Sequence, residues 1–169
     1  MAKGAKIQIV LDADVVIHFA KGGYLNLLPS IFPDYEYVLL ETVYEELKSL
    51  RSQVDNQIMR LKNITLQPFA PRGEMLREYA MLRSRFGKGE SACMAYCLFT
   101  HNVIGSSNLR DIRAYCEEKK IVYLTTIDFL WYACAQGDCP RVHSAYQRRV
   151  CTGGLSPCAL SLPKKSGIS

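Results

Sequence analysis

The chain of 169 residues contains no apolar run approaching the roughly 20 residues needed to cross a bilayer. Its opening, Met1 to Lys6, lacks the apolar stretch of a secretory leader, so the expected compartment is the cytoplasm and no membrane partner is expected. No CxxC pair occurs, and His18, His101 and His143 keep no fixed spacing to cysteine or serine. These absences argue against a zinc cluster built from Cys134, Cys139, Cys151 and Cys158, and against a nucleophile–histidine arrangement. The seven cysteines are odd in number, and Cys93, Cys97, Cys116 and Cys134 fall in segments that read as helices, so buried thiols are expected rather than disulfides. Gly87 to Gly89 is too short for a dinucleotide fingerprint or a phosphate loop. The single tryptophan, Trp131, shares an apolar helix with Phe129 and Tyr132, which predicts core packing rather than a base-stacking platform.

The longest stretch without an acidic residue is the C-terminal one. Residues 139–169 hold Arg141, Arg148, Arg149, Lys164 and Lys165 without an acid, and these account for the whole net charge of +5. Residues 1–138 are therefore neutral and read as one domain, followed by a basic, loosely ordered extension over 139–169. Such an extension can follow a phosphate backbone by counterion release, although a short charged terminus is commonly just solvated.

What is present is an alternation of strands and helices. Ile7 to Leu11 is an apolar run rich in β-branched residues and predicts a central strand, ended by Asp12. A helix follows over Ala13 to Ala20 and stops at Gly22-Gly23, with a second short helix near Tyr24 to Ile31. Tyr35 to Leu40 reads as a strand, then Thr42 as the cap of a helix to Leu50, with Glu45 completing a capping box. A helix over Ser52 to Leu61, a short strand over Ile64 to Pro68 and an amphipathic helix over Glu74 to Phe86 come next. After the break at Gly87-Lys88-Gly89, the pattern predicts helices over Glu90 to Thr100, Asn108 to Lys119 and Ile127 to Ala135, with strands over Val103 to Gly105 and Ile121 to Leu124. The expected fold is α/β in three layers, α/β/α, around a parallel sheet of four to five strands. Its functional crevice should lie outside the carboxyl ends of the strands.

In that arrangement Asp12 closes the first strand, Glu46 lies in the helix after the second, Glu90 opens the helix after the glycine break, and Asp111 follows the strand Val103 to Gly105. Four carboxylates on one rim repel one another unless a divalent cation neutralises them, and oxygen donors of this kind suit Mg²⁺ or Mn²⁺. Bound there, an ion would activate water against a phosphodiester. Each acid also has a plainer reading: Asp12 and Glu90 as helix caps, Glu46 and Asp111 as solvated helical side chains.

The order of the motifs favours the site. Ile9-Val10-Leu11-Asp12-Ala13-Asp14 resembles the opening strand of the PIN-domain nucleases, whose first aspartate follows that strand. Thr42-Val43-Tyr44-Glu45-Glu46-Leu47 resembles the second motif of the family, with Glu46 preferred over Glu45 because it precedes the leucine. Gly87-Lys88-Gly89-Glu90 is similar to the start of the helix that supplies the third acid. Ser106-Ser107-Asn108-Leu109-Arg110-Asp111-Ile112 is similar to the fourth motif, with Asn108 where many relatives carry a carboxylate. The resemblance covers residues 7 to 135. It implies a metal-dependent ribonuclease with Asp12, Glu46, Glu90 and Asp111 as catalytic and metal-holding residues, and Ser106, Asn108 and Lys88 as supporting or substrate residues. RNA as substrate, a small antitoxin as partner in a toxin–antitoxin pair, and a homodimer are further implications.

Two other readings remain open on the residues. One is a PIN-like interaction module without catalysis. The other is a phosphatase of the haloacid-dehalogenase type, using Asp12 as nucleophile and Asp14 for proton transfer, which Asp12-Ala13-Asp14-Val15 resembles. The second lacks a late aspartate pair, since Val103 to Asn108 contains none.

Overall fold

A computed structural model describes residues 6–135 of the chain. The boundary expected at residue 138, the extension over 139–169 and Cys139, Cys151, Cys158 and His143 lie outside the described residues. Within them, five strands form one parallel sheet: β1 (Gln8–Leu11), β2 (Glu36–Leu40), β3 (Ile64–Gln67), β4 (Val103–Gly105) and β5 (Tyr123–Leu124), in the order β3-β2-β1-β4-β5. Seven α-helices complete a three-layer α/β/α domain. They are α1 (Ala13–Lys21), α2 (Glu41–Glu46), α3 (Arg51–Asp55), α4 (Gly73–Arg83), α5 (Lys88–Thr100), α6 (Leu109–Lys119) and α7 (Thr126–Ala135). No helix among the described residues is long and apolar enough to cross a membrane.

Each strand is joined to the next through helices, as parallel pairing requires, and β1, β2, β4 and β5 are largely buried while the edge strand β3 is only partly so. Ile9, Val10 and Leu11 of β1 are fully buried, and pair with Tyr37, Val38 and Leu39 of β2 on one side. On the other side they pair with Val103, Ile104 and Gly105 of β4. Strands β2 and β3 leave β1 in one direction, β4 and β5 in the other, so the switch point of the sheet lies between β1 and β4. Helix α5 packs on β1, β2, α2 and α4, while α1 meets α7. Phe129 of α7 is fully buried, edge-on to Phe19 at 6.0 Å and to Phe32 at 5.6 Å. Trp131 is only half-buried and rests edge-on against Tyr132 at 5.2 Å, so the core expectation holds for Phe129 more fully than for Trp131.

Several elements differ from their sequence pattern. The short helix expected near Tyr24 to Ile31 is reduced to a 3₁₀ turn, Leu28–Ser30, because Pro29 can open such a turn but cannot supply an interior N–H. The helix expected to run to Leu50 ends at Glu46, and Lys48–Leu50 is another 3₁₀ turn. Ser52 to Leu61 divides into α3 and a π-helical turn, Asn56–Leu61, closed by Lys62 in the left-handed region at φ 51°. The capping box at Thr42 does not form. Helix α2 starts at Glu41 directly after Leu40, and buried Thr42 Oγ1 has no hydrogen-bond partner among the described residues. A capping box does form at α7, where Asp128 Oδ2 accepts from Thr125 N (2.8 Å) and Thr125 Oγ1 (2.7 Å) while Asp128 N donates back to Thr125 Oγ1.

Candidate functional site

At the switch point, the chain leaves β1 at Asp12, whose extended backbone makes it the N-cap of α1, with Oδ1 accepting from Ala13 N at 2.8 Å. Backbone and side chain both tie this residue to β4: Asp12 N donates to Gly105 O at 2.8 Å, and Ser106 Oγ donates to Asp12 Oδ2 at 3.1 Å. Asp12 is 6% exposed and Ser106 fully buried. Burial, reinforced by the Asp14 charge, pushes the Asp12 carboxyl up to about 6, against the opposing hydrogen bonds from Ala13 and Ser106.

Asn108 caps the start of α6, and its N–H lies 3.4 Å from Ser106 Oγ. Its Nδ2 donates to Glu90 Oε1 at 3.0 Å and to Asp111 Oδ2 at 2.7 Å, so one neutral amide bridges two acids from different helices. Glu90, in the first turn of α5, is pushed up to about 7 by partial burial and by the charges of Asp12 and Asp111. Helix α5 starts at Lys88 rather than at Glu90: Gly87 is the break and N-cap, and Lys88 and Gly89 belong to the helix.

Glu45 and Glu46 end α2 and part company. Lys88 Nζ pairs with Glu45 Oε2 at 2.5 Å on the exposed surface. Glu46 turns toward the start of α5, and its Oε1 accepts from Gly89 N at 2.8 Å. Glu46 is close enough to Asp12 to add to the rise in its pKa. The structure therefore brings Asp12, Glu46, Glu90 and Asp111 to one rim, with Ser106 and Asn108 between them and Lys88 at the edge. Among the described residues, no three His, Cys, Asp or Glu side chains stand close enough to enclose a metal ion as they are.

The donor chemistry nevertheless fits a hard divalent cation. The rim is made of carboxylate and hydroxyl oxygens, and the raised Asp12 and Glu90 carboxyls are groups whose ionised form a nearby cation would favour. Cys93 lies below the rim, its Sγ 3.9 Å from Leu11 O. Burial first, and the Asp12 charge second, hold its thiol well above the usual range, so it is packing rather than a nucleophile.

Sequence reasoning gave Asp14 a role only in the phosphatase reading. In the structure its Oδ1 accepts from Val15 N at 2.6 Å, and its Oδ2 from Ser107 N at 2.7 Å, with Ser106 Oγ at 3.4 Å. Asp14 thereby pins the turn after β4 beside Asp12, and both of its oxygens are engaged. The signal for this was its place three residues after β1, where a first-turn acid on α1 can reach the neighbouring strand end. His18 is engaged through Nδ1 with Thr126 Oγ1 at 3.0 Å, away from any cysteine. No protein-family model matches the chain, and comparison with curated proteins gives no match.

Proposed function

We propose that the protein is a divalent-metal-dependent ribonuclease that hydrolyses RNA phosphodiester bonds at the rim formed by Asp12, Glu46, Glu90 and Asp111. The observation that supports this most directly is the meeting of Asp12 from the end of β1, Glu90 from α5 and Asp111 from α6. Burial first, and the repulsion of neighbouring acids second, raise Asp12 to about 6 and Glu90 to about 7, with Asp14 and Glu46 acting on Asp12, and Asp12 and Asp111 on Glu90. A fold that gathers acids against that repulsion has a use for the cation that relieves it. Asp12, Glu46, Glu90 and Asp111 would hold Mg²⁺ or Mn²⁺, and the ion would supply activated water and a positive charge opposite the scissile phosphate. Ser106 orients Asp12, and Asn108 keeps Glu90 and Asp111 at a fixed separation. Lys88, half-exposed at the N-terminal end of α5 and paired with Glu45, would meet the phosphate backbone. The choice of RNA follows the motif resemblance, as does a small antitoxin partner.

A non-catalytic interaction module is favoured by one specific observation, that the Asn108 amide already satisfies Glu90 and Asp111 without a cation. Calorimetry with Mn²⁺, run beside cleavage of labelled single-stranded RNA, separates the two. The nuclease binds Mn²⁺, cuts RNA, and loses cutting on chelation and in Asp12→Asn. A protein that holds no Mn²⁺ and leaves the RNA intact is the module.

A further inference from the structure

The side chain of Glu46 stands where its own helix offers it nothing. It is the last residue of α2, next to carbonyl groups that no longer have intrahelical donors, and a carboxylate is disfavoured there. Helix α5 presents the opposite end. Its N-cap is Gly87, which has no side chain to cap the first N–H groups, and Gly89 N donates to Glu46 Oε1 at 2.8 Å from 43 residues away. The fit is close: a Cβ placed at position 89 would lie 3.0 Å from both Glu46 carboxylate oxygens and 3.1 Å from Cδ. A Cβ at position 87 would meet nothing within 4 Å. Beside it, Lys88 takes Glu45 away to the surface.

We infer that Gly89 is a positioning residue for Glu46: the bare first turn of α5 receives the Glu46 carboxylate and holds it at the acidic rim, while Lys88 sorts Glu45 outward. Glycine at 89 matters for the space its missing side chain leaves rather than for its backbone, which is helical: a Cβ there would press on the Glu46 carboxylate and push it from its place. The inference rests on the reading of Glu46 as a rim carboxylate, but the placement can be tested without cleavage.

The experiment combines Gly89→Ala and Gly87→Ala, each in the parent and in Glu46→Ala, by urea unfolding in metal-free buffer and by Mn²⁺ calorimetry. With Glu46 present, Gly89→Ala should lower the unfolding midpoint. In Glu46→Ala the same change should leave the midpoint equal or raised, because alanine is the better helix former. Gly87→Ala should shift the midpoint alike in both backgrounds. Mn²⁺ affinity should fall about tenfold or more in Gly89→Ala, the usual effect of losing a group that orients a ligand, and should fall no further when Gly89→Ala is added to Glu46→Ala. An equal effect of Gly89→Ala on the midpoint in both backgrounds overturns the inference. A parent that binds no Mn²⁺ overturns the nuclease reading instead, and the unfolding cycle alone then decides whether Gly89 places Glu46.

Discussion

Ser106 Oγ donates to Asp12 Oδ2 across 3.1 Å, and this side-chain bond lies beside the backbone bond from Asp12 N to Gly105 O. The ends of β1 and β4 are thus joined twice at the place where the strand order reverses. Strand topology alone makes a crevice there. The pair Ser106 and Asp12 gives it a buried carboxylate with a fixed direction, because one oxygen is held by the cap at Ala13 and the other by the hydroxyl.

Ser106→Ala should raise the Asp12 pKa further above about 6, since the hydroxyl is one of the donors that favour the ionised form. A hydrogen bond to a charged group is worth about 1.5 kcal/mol, so the rise should be about one unit. Carboxyl-carbon NMR titration in metal-free buffer reads it. An unchanged Asp12 value, with Asp14 moving instead, would assign the hydroxyl to Asp14 Oδ2 at 3.4 Å.

Stability should fall with rising pH in the absence of metal. Asp12 has a folded pKa near 6 against an ordinary 3.8, so the folded state keeps a proton that the unfolded chain has released. Folding is therefore unopposed by this group below about pH 4, loses stability as pH rises through 6, and above that has lost on the order of 3 kcal/mol. Glu90, with its pKa near 7, adds to the same slope in the same direction. Asp12→Asn should flatten the profile, because asparagine can still cap α1 but cannot ionise. Urea unfolding from pH 4 to 8 measures this, and a large loss of stability for Asp12→Asn at pH 7.5 would mark Asp12 as purely a structural cap.

Thr42→Val should leave stability unchanged or raise it by up to about 1 kcal/mol. The Thr42 hydroxyl is buried without a partner, and an isosteric apolar group removes that unpaired dipole without changing the shape of the core. Thermal melts of the two proteins suffice. A loss above about 1 kcal/mol would show that Oγ1 makes a hydrogen bond after all.

Thr42 also marks the limit of what the sequence disclosed about the fold. The patterns Thr42-x-x-Glu45 and Thr125-x-x-Asp128 are alike, yet only the second forms a capping box. Helix α2 begins two residues early, at the end of a buried strand, which leaves Thr42 buried inside its first turn. The strands were legible because β-branched runs such as Ile7 to Leu11 are too short and too apolar for anything but a buried strand. Leu47 to Leu61 was not, because its 3₁₀ and π-helical turns carry apolar residues at spacings that a continuous helix would also give. At the site, Asp12, Glu90 and Asp111 were found by their places after strands and at helix starts. The preference for Glu46 over Glu45 rested on one following leucine, whereas the structure separates the two side chains through Gly89 and Lys88, 43 residues on. The engagement of Asp14 was legible only in part: its place in the first turn of α1 lets it reach a strand end, but nothing local tells which one.

Asn108 and Asp111 provide the last test. The Asn108 amide turns its Nδ2 toward Glu90 and Asp111 and so bridges the two acids. Asp111 raises the Glu90 pKa by its charge, and removing that charge in Asp111→Asn should bring Glu90 down from about 7 in metal-free buffer. It also takes one carboxylate from the rim, so RNA cleavage should fall steeply at limiting Mn²⁺ and recover in part at saturation. Asn108→Asp does the reverse. A third acid against Glu90 and Asp111 should lower the melting temperature above pH 7 without metal, and Mn²⁺ should then restore it by more than it stabilises the parent. Ligand at a hundredfold over its Kd adds about 2.7 kcal/mol, enough to see in a melt. If Asp111→Asn cuts RNA as well as the parent at limiting Mn²⁺ and leaves the Glu90 titration in place, Asp111 is a helix-capping acid and the rim has three carboxylates, not four.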